Sequence, residues 1–254
     1  VYNPFDILLF IDSGQVVKNY WISTGTPTFL IKLIQQNNYF IPQLDNLRVS
    51  ESLIDSYNLD NIQLEPILFQ TGYLTIKEQL NAGAIILYQL CFPNLETRYS
   101  FNDFVLDYLT NQPGPKATYQ SEIYAALQGC NLEMLQKTLY TLFAAIPYNN
   151  YVSNTISSYE GYYASVIYAY LASLGLDITA EDVTNKGRID LTVKLDENIY
   201  IIEFKVDGAG NALEQIKNKN YAHKYKGQNK NIYLVGIDFD SQQRNLTGFD
   251  WEMA

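Results

Sequence analysis

The chain reads as an α/β protein: a C-terminal mixed sheet flanked by helices, preceded by a mainly helical, winged-helix-like domain. Three observations predict this. From Thr155 onward the apolar spacing switches between helix and strand periods in the order α-β-β-β-α-β. The N-terminal part shows helical stretches followed by two short β-type runs, the pattern of a helical module with a β-ribbon. Between them, Gln112-Pro113-Gly114-Pro115 is the clearest breaker in the chain. The expected organisation is a helical, winged-helix-like domain over 1–112, a helical connector over 113–150 and an α/β domain over 151–254.

Each element has a local reason. Thr26-Pro27 reads as an N-cap followed by proline at the first helical position, and Phe29, Leu30, Leu33 and Ile34 then form a helical stripe. Further helices are expected over 52–57 and 64–70, and β-type runs over 73–76 and 84–88. Residues 101–109 read as a helix leaving that module, and residues 117–147 keep helical spacing. Tyr159, Tyr163, Val166, Ile167, Tyr170, Leu171 and Leu174 then mark a long helix that Gly175 closes. Strands are expected over 178–181, 189–195 and 199–206, a helix over 209–225 and an apolar strand over 232–237.

Composition narrows the functions. With 254 residues, 47% of them apolar, the chain can bury a sizeable core. The 22 tyrosines suit core and half-buried positions, and also base stacking. A net charge of −10 argues against a general nucleic-acid coat, which relies on Lys and Arg. The charge is uneven, however: between Lys186 and Lys230 nine basic residues face six acidic ones, a net of +3. Cys91 and Cys130 lie far apart in apolar surroundings and read as reduced core residues, and the single histidine, His223, rules out a histidine-rich zinc site. No apolar run reaches the roughly 18 residues of a membrane span, and no signal-peptide pattern opens the chain. A reducing cytoplasm is the expected compartment. The start, Val1-Tyr2-Asn3-Pro4-Phe5, lacks an initiator methionine and reads as the middle of a longer product.

The residues that carry chemistry lie in one predicted hairpin. Ile189-Asp190-Leu191-Thr192-Val193 leads through Asp196-Glu197-Asn198 into Tyr200-Ile201-Ile202-Glu203-Phe204-Lys205. Alternation puts Glu203 and Lys205 on one face, with Ile201, and Ile202, Phe204 and Val206 on the other. A turn centred between Asp196 and Glu197 sets Asp190 opposite Glu203; one centred between Glu197 and Asn198 sets it opposite Lys205. Either register gathers all three on one face. Two such carboxylates repel, and a hard divalent cation relieves the conflict by binding both. The bland alternative is a structural ion pair on a solvated sheet face.

These residues resemble the PD-(D/E)XK nuclease superfamily. The likeness runs through Gly187-Arg188-Ile189-Asp190-Leu191, Ile202-Glu203-Phe204-Lys205, and Ala212-Leu213-Glu214-Gln215-Ile216 with Tyr221. Ile189 stands where the family's name has proline. Upstream, Tyr20-Trp21, Thr24-Gly25-Thr26-Pro27-Thr28-Phe29-Leu30 and Phe69-Gln70-Thr71-Gly72-Tyr73-Leu74-Thr75-Ile76 resemble the segment after the ATPase of bacterial AAA-ATPase-like proteins that end in such a nuclease domain. The resemblance implies a restriction-endonuclease-like sheet that hydrolyses DNA phosphodiester bonds with Mg²⁺ or Mn²⁺. It makes Asp190 and Glu203 metal ligands and Lys205 the catalytic lysine. Glu160, on the preceding helix, matches the acid that completes the metal site, although Ser157-x-x-Glu160 is also a capping box. Gln215 matches a glutamine that positions the site in one subset of the family; it also fits an exposed helix position, and Tyr221 fits simple packing. No G-x-x-x-x-G-K-[ST] loop occurs, so the ATPase is absent from this chain. The rival expectation is a catalytically inactive module that binds nucleic acid or protein and regulates an ATPase.

Overall fold

The structure, a computed structural model, describes residues 4–16, 20, 29–30, 33–34, 40–51, 63–83, 85–147, 160–208 and 211–254, with the side chains of Asp6, Ala82 and Glu160 outside that description. The chain divides into two compact units, one of residues 1–39 and 46–105, the other of 40–45 and 106–254.

In the first unit, helix α1 (Pro4–Asp12) precedes strand β1 (Leu47–Ser50), helix α2 (Leu64–Gln70), strand β2 (Thr75–Ala82) and strand β3 (Ile85–Cys91). The strands form an antiparallel sheet in the order β1-β3-β2, and β2 carries a bulge between Ile76 and Glu78. Of the expected stripe, Phe29, Leu30, Leu33 and Ile34 are helical, the last three buried. Thr26-Pro27 and the helix expected over 52–57 lie outside the described residues. Helix α3 (Leu95–Thr110) starts six residues before its expected beginning, and the division between the units falls within it, ahead of the Pro113–Pro115 breaker.

The second unit holds the larger sheet. Helices α4 (Lys116–Gln128) and α5 (Leu132–Ala145) replace the single helical stretch expected over 117–147. The interruption lies at Gly129-Cys130-Asn131, where Cys130 has φ 53° and Asn131 caps α5 by accepting from Met134 N at 2.9 Å. Helix α6 (Glu160–Ser173) follows and ends before Gly175, whose φ of 71° suits a residue without a Cβ.

Then come β4 (Asp177–Val183), β5 (Arg188–Leu195), β6 (Asn198–Val206), α7 (Ala212–Lys219), β7 (Asn231–Asp240) and β8 (Asn245–Met253). They form a five-stranded mixed sheet in that order, parallel only between β6 and β7. The helix expected over 209–225 is shorter. Asn211 caps it by accepting from Glu214 N at 3.0 Å, and Asn220 ends it in the left-handed region. A separate 3-10 turn, Tyr221–Lys224, follows. The edge strand β8 was not expected.

Both faces of this sheet are covered. On one, Ile201, Ile199 and Leu234 pack with Ile216 of α7 and with Tyr221 and Tyr225. On the other, Ile202 and Ile237 face Ile123 and Leu127 of α4, Leu135 and Leu139 of α5, and Ile167 and Leu171 of α6. Strand β6 is thus buried along nearly its whole length, as a central strand clad on both sides must be. Many tyrosines belong to these cores: Tyr163, Tyr168, Tyr170 and Tyr200 are among the largest fully buried side chains.

Candidate active site

The β5–β6 hairpin decides the geometry. Its ladder pairs Leu195 with Asn198 and Leu191 with Ile202, so the turn is Asp196-Glu197. One more step in the same register sets Asp190 opposite Glu203, the first of the two arrangements the sequence allows. There the backbone ladder gives way to a side chain: Asp190 Oδ2 accepts from Phe204 N at 2.9 Å. Glu203 and Lys205 follow on the same face by alternation.

Glu203 is fully buried. Its Oε2 accepts from Gln215 Nε2 at 2.7 Å. Among the described residues its Oε1 is buried without a partner. Burial pushes the Glu203 carboxyl up to about 9, and the adjacent Asp190 charge adds to the rise, against the pull of Lys205. Asp190 is also raised, chiefly by burial, while the Phe204 N–H, Glu203, Lys205 and Arg188 oppose the rise. Two ionised carboxylates offer each other no donor; a proton on Glu203 lets the pair hydrogen-bond. Lys205 is half-buried and makes no hydrogen bond or ion pair among the described residues.

Helix α7 brings Gln215 to this pair because it sits very low on the sheet. Glu203 is paired in the parallel ladder with Gly236. A Cβ there would stand 2.8 Å from Leu213 Cα and 2.9 Å from Ala212 C, and closer still to Leu213 N. Only a glycine admits that approach. From the 3-10 turn, Tyr221 donates its hydroxyl to Arg188 O at 2.9 Å, two residues before Asp190. Burial, then Glu203 and Asp190, raise the Tyr221 hydroxyl above its usual range. The same turn is anchored further along: the Lys224 ammonium and the Tyr225 hydroxyl both reach buried Asp182, which also accepts from Thr192 Oγ1 at 3.0 Å.

The structure therefore brings Asp190, Glu203 and Gln215 together, with Gln215 bonded to Glu203 and Asp190 to the Phe204 N–H, and sets Lys205 on the same face beside them. Glu160 is the first residue of α6, and its side chain lies outside the description. Sequence reasoning did not single out Gly236, although a lone glycine inside an apolar strand is itself a sign of close backbone approach. It also passed over Asp238, which the parallel register sets opposite Lys205.

The donor set can be tested against a divalent cation. Two carboxylates share one face, Asp190 half-buried and Glu203 fully buried, and one Glu203 oxygen is buried without a partner among the described residues. The pair resists full ionisation until positive charge arrives. Hard cations such as Mg²⁺ accept one or two protein carboxylates, with water and phosphate oxygens supplying the rest. The residues fit that ion. Among the described residues no group of three or more His, Cys, Asp or Glu side chains comes together to hold a metal, so this pair is the minimal form of such a site.

Comparison with known proteins gives the same segment. Residues 158–249 match the model of the family described as the PD-(D/E)XK nuclease superfamily. The chain is 40% identical over 252 residues to a protein of Azotobacter chroococcum mcd 1 described as an "Uncharacterized protein in vnfD 5'region". The match covers 98% of this chain and 49% of that protein, so the chain spans about half the length of the curated relative it matches. No solved structure matches. No helix among the described residues is long and apolar enough to cross a membrane.

Proposed function

We propose that this protein, whose residues 158–249 match the model of the PD-(D/E)XK nuclease superfamily, hydrolyses DNA phosphodiester bonds with Mg²⁺ or Mn²⁺ held by Asp190 and Glu203. The observation that carries the reading is the pairing of half-buried Asp190 with fully buried Glu203, whose Oε1 is without a partner among the described residues. In the proposed site Glu160 joins the two as a third ligand. A bound cation lowers the pKa of a coordinated water and stabilises charge on the phosphate. The chain's own residues do the rest. Gln215 fixes the Glu203 carboxylate through Oε2, so Oε1 is the oxygen that would be free to hold a cation. The Phe204 N–H fixes Asp190 in the same way. Lys205 supplies a positive charge for the scissile phosphate and orients the attacking water. Tyr221 and Gly236 act further out, holding β5 and α7 where those contacts are possible.

The N-terminal unit is read as a winged-helix-like module, supported by its antiparallel sheet in the order β1-β3-β2 with α2 between β1 and β2. The upstream resemblance supports reading the chain as the part that follows an ATPase in a longer, cytoplasmic protein. The net charge of −10 favours one rival, a nuclease-like module that binds without cleaving and regulates that ATPase.

Incubation with plasmid and linear DNA separates the readings. Cleavage is expected with Mg²⁺ or Mn²⁺, none with EDTA, and a loss of at least about a hundredfold in Asp190→Ala, Glu203→Ala and Lys205→Ala. Activity unchanged by Asp190→Ala or Glu203→Ala defeats the nuclease reading. DNA binding without cleavage supports the regulatory one.

A further inference from the structure

Lys205 has carboxylates on two sides. Asp190 and Glu203 lie on one, and Asp238 is its direct partner across the parallel β6–β7 ladder. In-register neighbours on adjacent strands lie about 4.8 Å apart and share a face. Asp238 is held firmly. Its Oδ1 accepts at 3.2 Å from the N–H of Ala212, the first residue of the helix that delivers Gln215 to Glu203. At Gly248, its partner on β8, a Cβ would stand 3.0 Å from Oδ2, so the missing side chain leaves the carboxylate its room. Burial disfavours the Asp238 charge; the Ala212 N–H favours it, Asp250 opposes it, and Lys205 favours it to a lesser degree. Lys205 itself is tethered to nothing among the described residues.

We propose that Asp238 is the positioning residue for Lys205: the two make no ion pair among the described residues, and the fixed charge of Asp238 across the ladder draws the ammonium through space and keeps it beside the Asp190–Glu203 pair. The consequence for catalysis rests on the nuclease reading; the pairing does not. A divalent cation held by Asp190 and Glu203 would repel a neighbouring ammonium. A lysine on its flexible four-carbon stem would then swing to solvent, and without the cation it would collapse onto the ligand carboxylates. A fixed anion on the far side prevents both. It also couples the two halves of the site, because the same carboxylate that faces Lys205 accepts from the first turn of α7.

A double-mutant cycle of Lys205→Gln, Asp238→Asn and the pair tests this. Asparagine keeps an acceptor for Ala212 N–H and removes the charge. Urea unfolding in EDTA reads the pairing without reference to activity, and the expected result is non-additivity of about threefold or more in the unfolding constant. With Mn²⁺ and DNA, Asp238→Asn is expected to lower kcat about tenfold while KM stays within about twofold, and Asp238→Glu to recover part of the loss. Additive effects on unfolding overturn the pairing, whether or not the protein cleaves DNA. Wild-type kcat in Asp238→Asn overturns the positioning role. Coupled unfolding with no cleavage by the wild type leaves the pairing standing and overturns the nuclease reading instead.

Discussion

Replacing Glu203 by glutamine is expected to stabilise the metal-free protein at neutral and alkaline pH while removing its capacity to hold a cation. The side chain is fully buried, and its carboxyl is pushed from an ordinary 4.5 up to about 9. Between those values the folded state keeps a proton that the unfolded chain has released. The sign follows: the folded pKa is raised, so this contribution to stability is full below about pH 4.5 and is lost as pH rises toward 9. One pH unit in that window costs about 1.4 kcal/mol, so a rise from about pH 5 to about pH 8 costs at most about 4 kcal/mol. Glutamine does not titrate. Its amide can donate to Asp190 as the protonated carboxyl would, and its carbonyl can accept from Gln215. The variant's advantage in EDTA should therefore grow with pH by up to about that amount. Urea denaturation of both proteins at several pH values measures it, and cleavage assays with Mn²⁺ measure the accompanying loss of activity. Parallel stability curves for the two proteins, or a variant that loses ground as pH rises, would refute the reasoning.

Other perturbations follow from the same contacts. Gly236→Ala should cost about 1–3 kcal/mol by overpacking and speed amide exchange in the first turn of α7, because its Cβ meets the Ala212–Leu213 backbone; hydrogen exchange reads the second effect. Tyr221→Phe removes the hydroxyl bond to Arg188 O and should cost about 1 kcal/mol in chemical denaturation, with a drop in cleavage rate. Asp182→Ala leaves the Thr192 and Tyr225 hydroxyls without their acceptor and frees Lys224; a loss of about 2–3 kcal/mol is expected in the same assay.

The sequence by itself placed Asp190, Glu203 and Lys205 on one face of one hairpin, because alternation along a strand is local and tolerates either turn. It also marked the helix that carries Gln215, whose apolar positions repeat at helical spacing. Which turn forms was open, and the tertiary structure chose the Asp196-Glu197 turn that sets Asp190 against Glu203. Other features depend on contacts between segments distant in sequence. Strand β8 escaped notice because Thr247, Gly248, Asp250 and Glu252 dilute its apolar pattern, as an edge strand with a single neighbour permits. The burial of Glu203 needs the cover that α7 gives its face of the sheet, and its bond to Gln215 needs α7 seated on Gly236. Asp238 faces Lys205 only through the parallel β6–β7 register, a pairing joined across α7 that no local periodicity encodes. Local chemistry thus named the carboxylates and the lysine. Long-range packing made one carboxylate dry, left one of its oxygens without a partner and set a third carboxylate across from the lysine.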